Sequence, residues 1–225
     1  MATSRIRPLQ SSIGTKLLIG ATGLFLFVYL IIHIGGNLVV FLGPESFNHY
    51  AHTLASNPAI KVIEIVLLLG FLIHIFKAVG MYLSNRQARP VGYEKKRYAG
   101  APSRKNLASS TMIVSGLWLL VFLIIHVKAF KFTPMYEYGD GVPDLYRLEM
   151  DNFRNPLVVG FYVLSMLIVG SHLWHGVASG FQSLGADDSR ITPLIMKGGK
   201  LAAVAIAGGF IVIALWAHFV GGGQP

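Results

Sequence analysis

"KLLIGATGLFLFVYLIIHIGGNLVVFL", residues 16–42, decides the solvent in which this chain folds. After Lys16 the stretch holds no Asp, Glu, Lys or Arg. A hydrocarbon core about 30 Å thick is crossed by roughly 20 apolar residues in a helix, so the run is long enough to span it. It is too long for a signal-peptide core and lacks a convincing small-residue cleavage site, so it is expected to stay in the mature protein. Four similar runs follow, giving expected spans of about 14–42, 60–83, 108–131, 156–181 and 198–220. Gly43-Pro44, Asn57-Pro58, Arg89-Pro90, Ala101-Pro102, Asn155-Pro156 and Thr192-Pro193 punctuate the gaps.

Composition carries the same message. The chain has 225 residues, 53% hydrophobic and only 13% charged, where soluble domains carry about a quarter charged. No internal repeat is visible, and no loop is large enough for a separate domain. The expected fold class is therefore all-α: one integral-membrane domain over residues 1–225, a bundle of five transmembrane helices.

Charge orients the bundle. Arg5, Arg7 and Lys16 lie at the N-terminus, seven Lys or Arg lie between residues 84 and 107, and Arg190, Lys197 and Lys200 lie in the segment 182–200. The opposite side has Lys61, then Lys128, Lys131, Arg147 and Arg154 diluted by Glu137, Asp140, Asp144, Glu149 and Asp151, and an uncharged C-terminus. The positive-inside rule puts the N-terminus in the cytoplasm and the C-terminus outside. The net charge of +9 is thus mostly a topology signal. It suits anionic lipid or a docked acidic protein, whereas nucleic-acid binding would need a soluble basic surface that the pattern lacks.

With no cysteine in the chain, disulfides, thiolate metal sites and Cys-ligated clusters are excluded, and histidine and carboxylate remain as the strong metal ligands. His49 and His52, in "FNHYAHTL", fall in the first outside loop, and His218 near the outside end of the last span; interfacial hydrogen bonds account for them. Five histidines fall inside apolar runs: His33, His74 and His126 in the first three, His172 and His175 in the fourth. An ionisable group at that depth needs a partner, and a helix-to-helix hydrogen bond would serve any one of them.

Taken together they form a pattern, because successive helices alternate in direction. His33 and His126 fall late in two outward runs, in the outer half of the membrane. His74 and His172 fall late in two inward runs, in the inner half. The two pairs are expected on the order of 10 Å apart along the normal. Two neutral imidazoles facing one another across a bundle are what bis-histidine haem ligation requires. Gly35, Gly36, Gly70, Gly80, Gly116, Gly170 and Gly176 near these positions suit a flat cofactor approaching backbone, although small residues also mediate plain helix packing in lipid. Depth does not choose between His172 and His175, which lie one turn apart, about 4.5 Å.

The strings "YLIIHIGGNL", "FLIHIFKAVGMYL", "GLWLLVFLIIHVKAFKF" and "HLWHGVASGFQSLG", one per span, followed by a fifth span without a ligand, resemble the five-helix dihaem cytochrome b subunit of succinate dehydrogenase and fumarate reductase. The resemblance covers nearly the whole chain. It implies two b-type haems, with His33 and His126 as axial ligands of the distal, outer haem and His74 and His172 of the proximal, inner haem. It chooses His172 over His175, counting back from Leu184-Gly185. It implies further that the chain is an electron-transfer subunit in the bacterial cytoplasmic membrane. A flavoprotein subunit and an iron–sulfur subunit, the former holding the succinate site, would dock on the cytoplasmic side. Electrons would pass to a quinone, commonly menaquinone in dihaem members. The basic string "YEKKRYAG" offers those partners a seat, or simply sets topology.

Three secondary sites follow. Lys77, one turn beyond His74, and His175 are candidates to neighbour a haem propionate or a quinone; a snorkelling lysine is the plainer account of Lys77. Glu64, early in the second span, is a candidate for quinone binding or proton exchange, with His49 and His52 above it, or else an interfacial glutamate with no such part. The acidic stretch Met135–Asp151 carries no recognisable chemistry and would cap the distal haem. Two other classes compete: a dihaem cytochrome b anchoring a hydrogenase or formate dehydrogenase, which fits the helix number and histidine placement less well, and a histidine-lined proton relay or transporter without haem. Glu64 is the only carboxylate inside an apolar run and no interrupted half-helices are apparent, which speaks against the latter.

Overall fold

A computed structural model describes residues 11–88, 107–134, 136–139 and 141–221. The string "YEKKRYAG" lies outside them. The elements in chain order are α1 (Ser12–Asn37), a 3-10 turn (Leu38–Leu42), α2 (Pro44–Ser56), α3 (Ala59–Gln87), α4 (Leu107–Ser110), α5 (Met112–Lys131), β1 (Glu137–Tyr138), β2 (Val142–Pro143), α6 (Leu145–Arg154), α7 (Pro156–Ser183) and α8 (Thr192–Phe219). Among the described residues five helices are long and apolar enough to cross a membrane: α1 with its 3-10 extension, α3, α5, α7 and α8. The protein is an all-α, multi-pass membrane bundle.

Local chemistry sets the helix ends. Ser11 caps α1 by accepting from the Gly14 amide at 3.0 Å, and Asn155, followed by Pro156 in the first turn, caps α7 by accepting from the Leu157 amide at 2.9 Å. Gly185, at φ +91°, closes α7 while the Ala186 amide donates back to the Phe181 carbonyl at 3.0 Å. The last span begins at Thr192 rather than near residue 198. Pro193 starts it, and a helix continues through Lys197 and Lys200 beyond the apolar run that periodicity detects. The third span begins at Met112 rather than 108, after a non-helical Thr111 and the separate turn of α4.

Two stretches expected as loops are folded. Residues after Gly43 form α2, which carries His49 and His52 as exposed helical side chains. The acidic stretch forms a two-stranded antiparallel hairpin, Tyr138 opposite Val142, and then the amphipathic α6. Tyr146, Glu149, Met150 and Phe153 form its buried stripe at helical spacing. Together α2, the hairpin and α6 make a cap over one end of the bundle. Asn48, fully buried, fastens it: its Nδ2 donates to Asp144 Oδ1 at 2.8 Å, and its Oδ1 accepts from the Tyr146 amide at 2.9 Å.

Helices α7 and α8 pack most extensively. A Cβ added at Gly170 would lie 3.1 Å from the Ala207 Cβ, and one added at Gly20 would lie 3.0 Å from the Gly180 carbonyl oxygen, so α1 and α8 both approach α7 over small residues. Helices α3 and α5 are peripheral, each with one buried residue, Gly70 and Ser115. One core lies under the cap, with Val40, Phe47, Tyr146, Met150, Phe153 and Tyr162; a second runs along α7 and α8 from Met166 to Val177.

Candidate functional site: two histidine pairs between four helices

At the cap end, His33 of α1 faces His126 of α5, with ring centres 6.0 Å apart and planes near perpendicular at 84°. Aromatic rings enclose the pair. Tyr29 stacks on His33 at 5.3 Å and Phe210 of α8 tilts against it at 5.5 Å. Phe122 stacks on His126 at 5.5 Å, with Phe130 and Tyr162 at 5.2 and 6.0 Å.

The second pair sits toward the basic end. His74 of α3 packs on α1, where a Cβ at Gly23 would lie 3.0 Å from its Cε1; only glycine leaves the ring that approach. His172 of α7 lies within electrostatic reach of His74. No ring-to-ring contact like that of the first pair joins these two among the described residues.

In three of these residues, Nδ1 is held by a neighbouring helix. Thr22 Oγ1 donates to the Leu18 carbonyl at 2.6 Å, leaving its oxygen to accept from His74 Nδ1 at 3.2 Å. Ser115 Oγ donates to the Met112 carbonyl at 3.0 Å and accepts from His172 Nδ1 at 2.9 Å. The Tyr162 hydroxyl lies 3.2 Å from His126 Nδ1. A proton on Nδ1 fixes the tautomer in which Nε2 carries a lone pair, the form that binds a metal. His33 differs: the Asn37 amide nitrogen, 3.4 Å from its Nδ1, is itself a donor, with its shorter bond to the His33 carbonyl at 2.8 Å.

Among the described residues no three His, Asp or Glu side chains converge to hold a bare metal ion. Two imidazoles suffice for a metal already carried in a macrocycle. With metal–nitrogen bonds of about 2 Å and ring radii of roughly 1.1 Å, two imidazoles on one metal have their centres about 6 Å apart. The separation of His33 and His126 fits this, as does the donor chemistry at His74 and His172.

The secondary residues are dispersed. His175 diverges from His172: it is half-buried and lines a pocket between α7 and α8 with Trp174, Ser179, Gln182 and Lys200. Lys200 lies 5.1 Å over the Trp174 ring. Lys77 is half-buried on α3. Glu64 is exposed rather than buried and pairs with Lys131 of α5, their side chains 46% and 47% exposed; the apolar run around it faces outward because α3 is peripheral. No contact joins it to His49 or His52 among the described residues. His218 Nδ1 lies 2.8 Å from the Phe153 carbonyl, as an interfacial hydrogen bond requires. Of the seven glycines singled out in sequence, Gly35 and Gly80 face nothing within 4 Å, Gly70 meets Phe25, Gly36 meets Tyr50, and Gly116 alone adjoins a histidine, His172, at 3.7 Å.

Sequence reading passed over Thr22, Gly23, Ser115 and Tyr162, although each is a polar or small residue inside an apolar run. It also passed over the carboxylate with the least water. Glu149 of α6 is 4% exposed, and burial raises its carboxyl to about 8. The signal was present: Glu149 falls inside a stripe at i, i+3, i+4 and i+7 of "YRLEMDNF". Comparisons with family models, curated proteins and solved structures found no match to this chain.

Proposed function

We propose that this chain is the dihaem cytochrome b subunit that anchors a succinate:quinone oxidoreductase in a bacterial cytoplasmic membrane, with the flavoprotein and iron–sulfur subunits docked at its basic end. The observation that carries this reading is the facing of His33 on α1 and His126 on α5, with His74 on α3 and His172 on α7 each bonded to a hydroxyl of a neighbouring helix. One pair stands 6.0 Å apart, and three of the four have Nδ1 anchored across helices.

Two b-type haems supply reversible one-electron transfer when bound. His33 and His126 would hold one, His74 and His172 the other. Thr22 and Ser115 orient the His74 and His172 imidazoles and keep their Nε2 available, and Tyr162 orients that of His126. Tyr29, Phe122, Phe130 and Phe210 exclude water around the cap-end pair, lowering the local dielectric. Electrons from the iron–sulfur partner would enter at the His74/His172 pair and leave to quinone, probed first as menaquinone.

A reduced-minus-oxidised absorbance spectrum of the purified chain tests the reading. A b-type band should appear in two spectral components. His33→Ala and His126→Ala should each remove one, and His74→Ala and His172→Ala the other. A chain without any b-type band, or a pair of variants that erases components in another grouping, overturns it. Co-purification with mass spectrometry of the partners separates a succinate dehydrogenase from a hydrogenase or formate dehydrogenase.

A further inference from the structure

The cavity between α7 and α8 lies at the basic end, where residues 184–191 link the two spans. It measures about 70 Å³, and a single water needs about 10–15 Å³, so it admits a group of several heavy atoms. Gly170 meets Ala207 and Gly199 meets Val177, so the two helices run antiparallel. Trp174 and Lys200 therefore line the deep end of the cavity, and Gln182 and Thr192 line its surface end, about 12 Å farther along each helix.

The two ends carry opposite charge. Lys200 is half-buried and holds its ammonium 5.1 Å over the Trp174 ring, which places a cation at the deep end. Asp187 stands at the surface end: its Oδ2 accepts from Gln182 Nε2 at 3.2 Å and its Oδ1 from Thr192 Oγ1 at 3.0 Å. Between them His175 and Ser179 line the wall one turn apart, and neither has a hydrogen-bond partner among the described residues. Deeper on the same two faces, Leu167, two turns from Trp174, and Val204, one turn from Lys200, are exposed. A tryptophan and a lysine above exposed aliphatic side chains mark the depth of lipid headgroups.

We propose that this cavity binds a phospholipid whose headgroup ends in a primary ammonium, such as phosphatidylethanolamine, with the phosphate at Lys200, His175 and Ser179 and the ammonium at Asp187. Such a lipid carries its phosphate on the glycerol side and its ammonium outermost. The cavity presents a cation at depth and a carboxylate at the surface, which is the complementary order. The acyl chains lie along Leu167 and Val204. A purely anionic headgroup would be attracted by Lys200 and opposed by Asp187. A trimethylated ammonium keeps the charge but has no N–H to donate to the carboxylate. The site is independent of the haem reading.

Native mass spectrometry of the purified full chain, equilibrated in turn with phosphatidylethanolamine, phosphatidylcholine and phosphatidylglycerol, tests this by counting the lipids that stay bound when detergent is stripped. Phosphatidylethanolamine should be retained about tenfold better than either competitor, the difference expected of a charge-assisted hydrogen bond. Lys200→Gln should lose the retained lipid and Lys200→Arg should keep it, with Lys200→Met replacing the first variant where that one does not fold. Asp187→Asn should turn the preference toward phosphatidylglycerol. Equal retention of the three lipids, a wild type that prefers phosphatidylglycerol, or a preference unchanged in Lys200→Gln and Asp187→Asn overturns the proposal. Inorganic phosphate at millimolar concentration should leave the lipid in place; displacement by it would make this a free-anion site and overturn the proposal equally. Retention is read by mass, so a chain without a b-type band that still selects this lipid defeats the functional reading and leaves the lipid site intact.

Discussion

The imidazole anchors give the haem reading its sharpest tests. Thr22 and Ser115 are chemically dispensable hydroxyls in apolar helices, yet each already donates to its own helix and so has only its oxygen to offer to His74 or His172. Removing a partner of this kind from a metal-bound histidine costs about 10- to 100-fold in affinity. Ser115→Ala and Thr22→Ala should therefore weaken retention of the component that depends on His74 and His172, read as haem lost on dilution, and leave the other component intact. Tyr162→Phe should act on the opposite component, through His126. Hydroxyls that serve only to fill space would produce no such division. The histidines were legible in sequence because each interrupts an apolar run. Their anchors were not, since Ser and Thr in a membrane helix commonly satisfy themselves on the preceding turn, and only the crossing of α5 with α7 and of α1 with α3 turns their oxygens to use.

Among the elements, the cap was the least legible. Its helices are short, charged and far from a membrane period, and α2 is helical because Gly43, at φ +93°, turns the chain and Pro44 starts a helix there. The join between α2 and α6 rests on Asn48, which serves Asp144 and the Tyr146 amide at once. Asn48→Ala would leave the buried Tyr146 amide unmet, a loss of about 1–3 kcal/mol, and leave Asp144 Oδ1 with the Arg147 amide as its remaining donor among the described residues. The expected result is early unfolding of the cap, seen as faster hydrogen exchange in residues 44–56 and 145–154 than in the spanning helices. The carboxyl of Glu149 makes the same cap sensitive to alkali. It is raised from 4.5 to about 8 in the fold, so between those values the unfolded chain has lost a proton that the folded chain still holds. Stability is then fullest below the unfolded value and declines as the pH climbs toward the folded one, at up to about 1.4 kcal/mol per unit. Thermal melts of wild type should show this decline from pH 5 to about 8, and Glu149→Gln should be flatter across the range.

For the molecule as a whole, five spans were legible because length and hydropathy are enough to recognise a helix in lipid. Which helices form the centre was not: α7 and α8 hold most of the buried residues and α3 and α5 almost none, although all four are similarly apolar. In lipid, apolarity no longer separates inside from outside, and small residues such as Gly20, Gly170 and Gly180 decide where backbones meet. Orientation rests on charge. The basic end gathers Lys16, Arg86, Arg190, Lys197 and Lys200, while Glu137, Asp144, Glu149 and Asp151 lie in the cap. The positive-inside rule predicts a cap that faces away from the cytoplasm, with the His33/His126 pair on its side of the bundle. The absence of cysteine makes this directly measurable, since any introduced thiol is the only one in the chain. Tyr138→Cys in the hairpin should react with a membrane-impermeant maleimide on intact cells, and Arg190→Cys between α7 and α8 should react only after the membrane is opened. The reverse order would invert the bundle, put the docking end outside, and leave a cytoplasmic iron–sulfur partner facing the wrong pair of histidines.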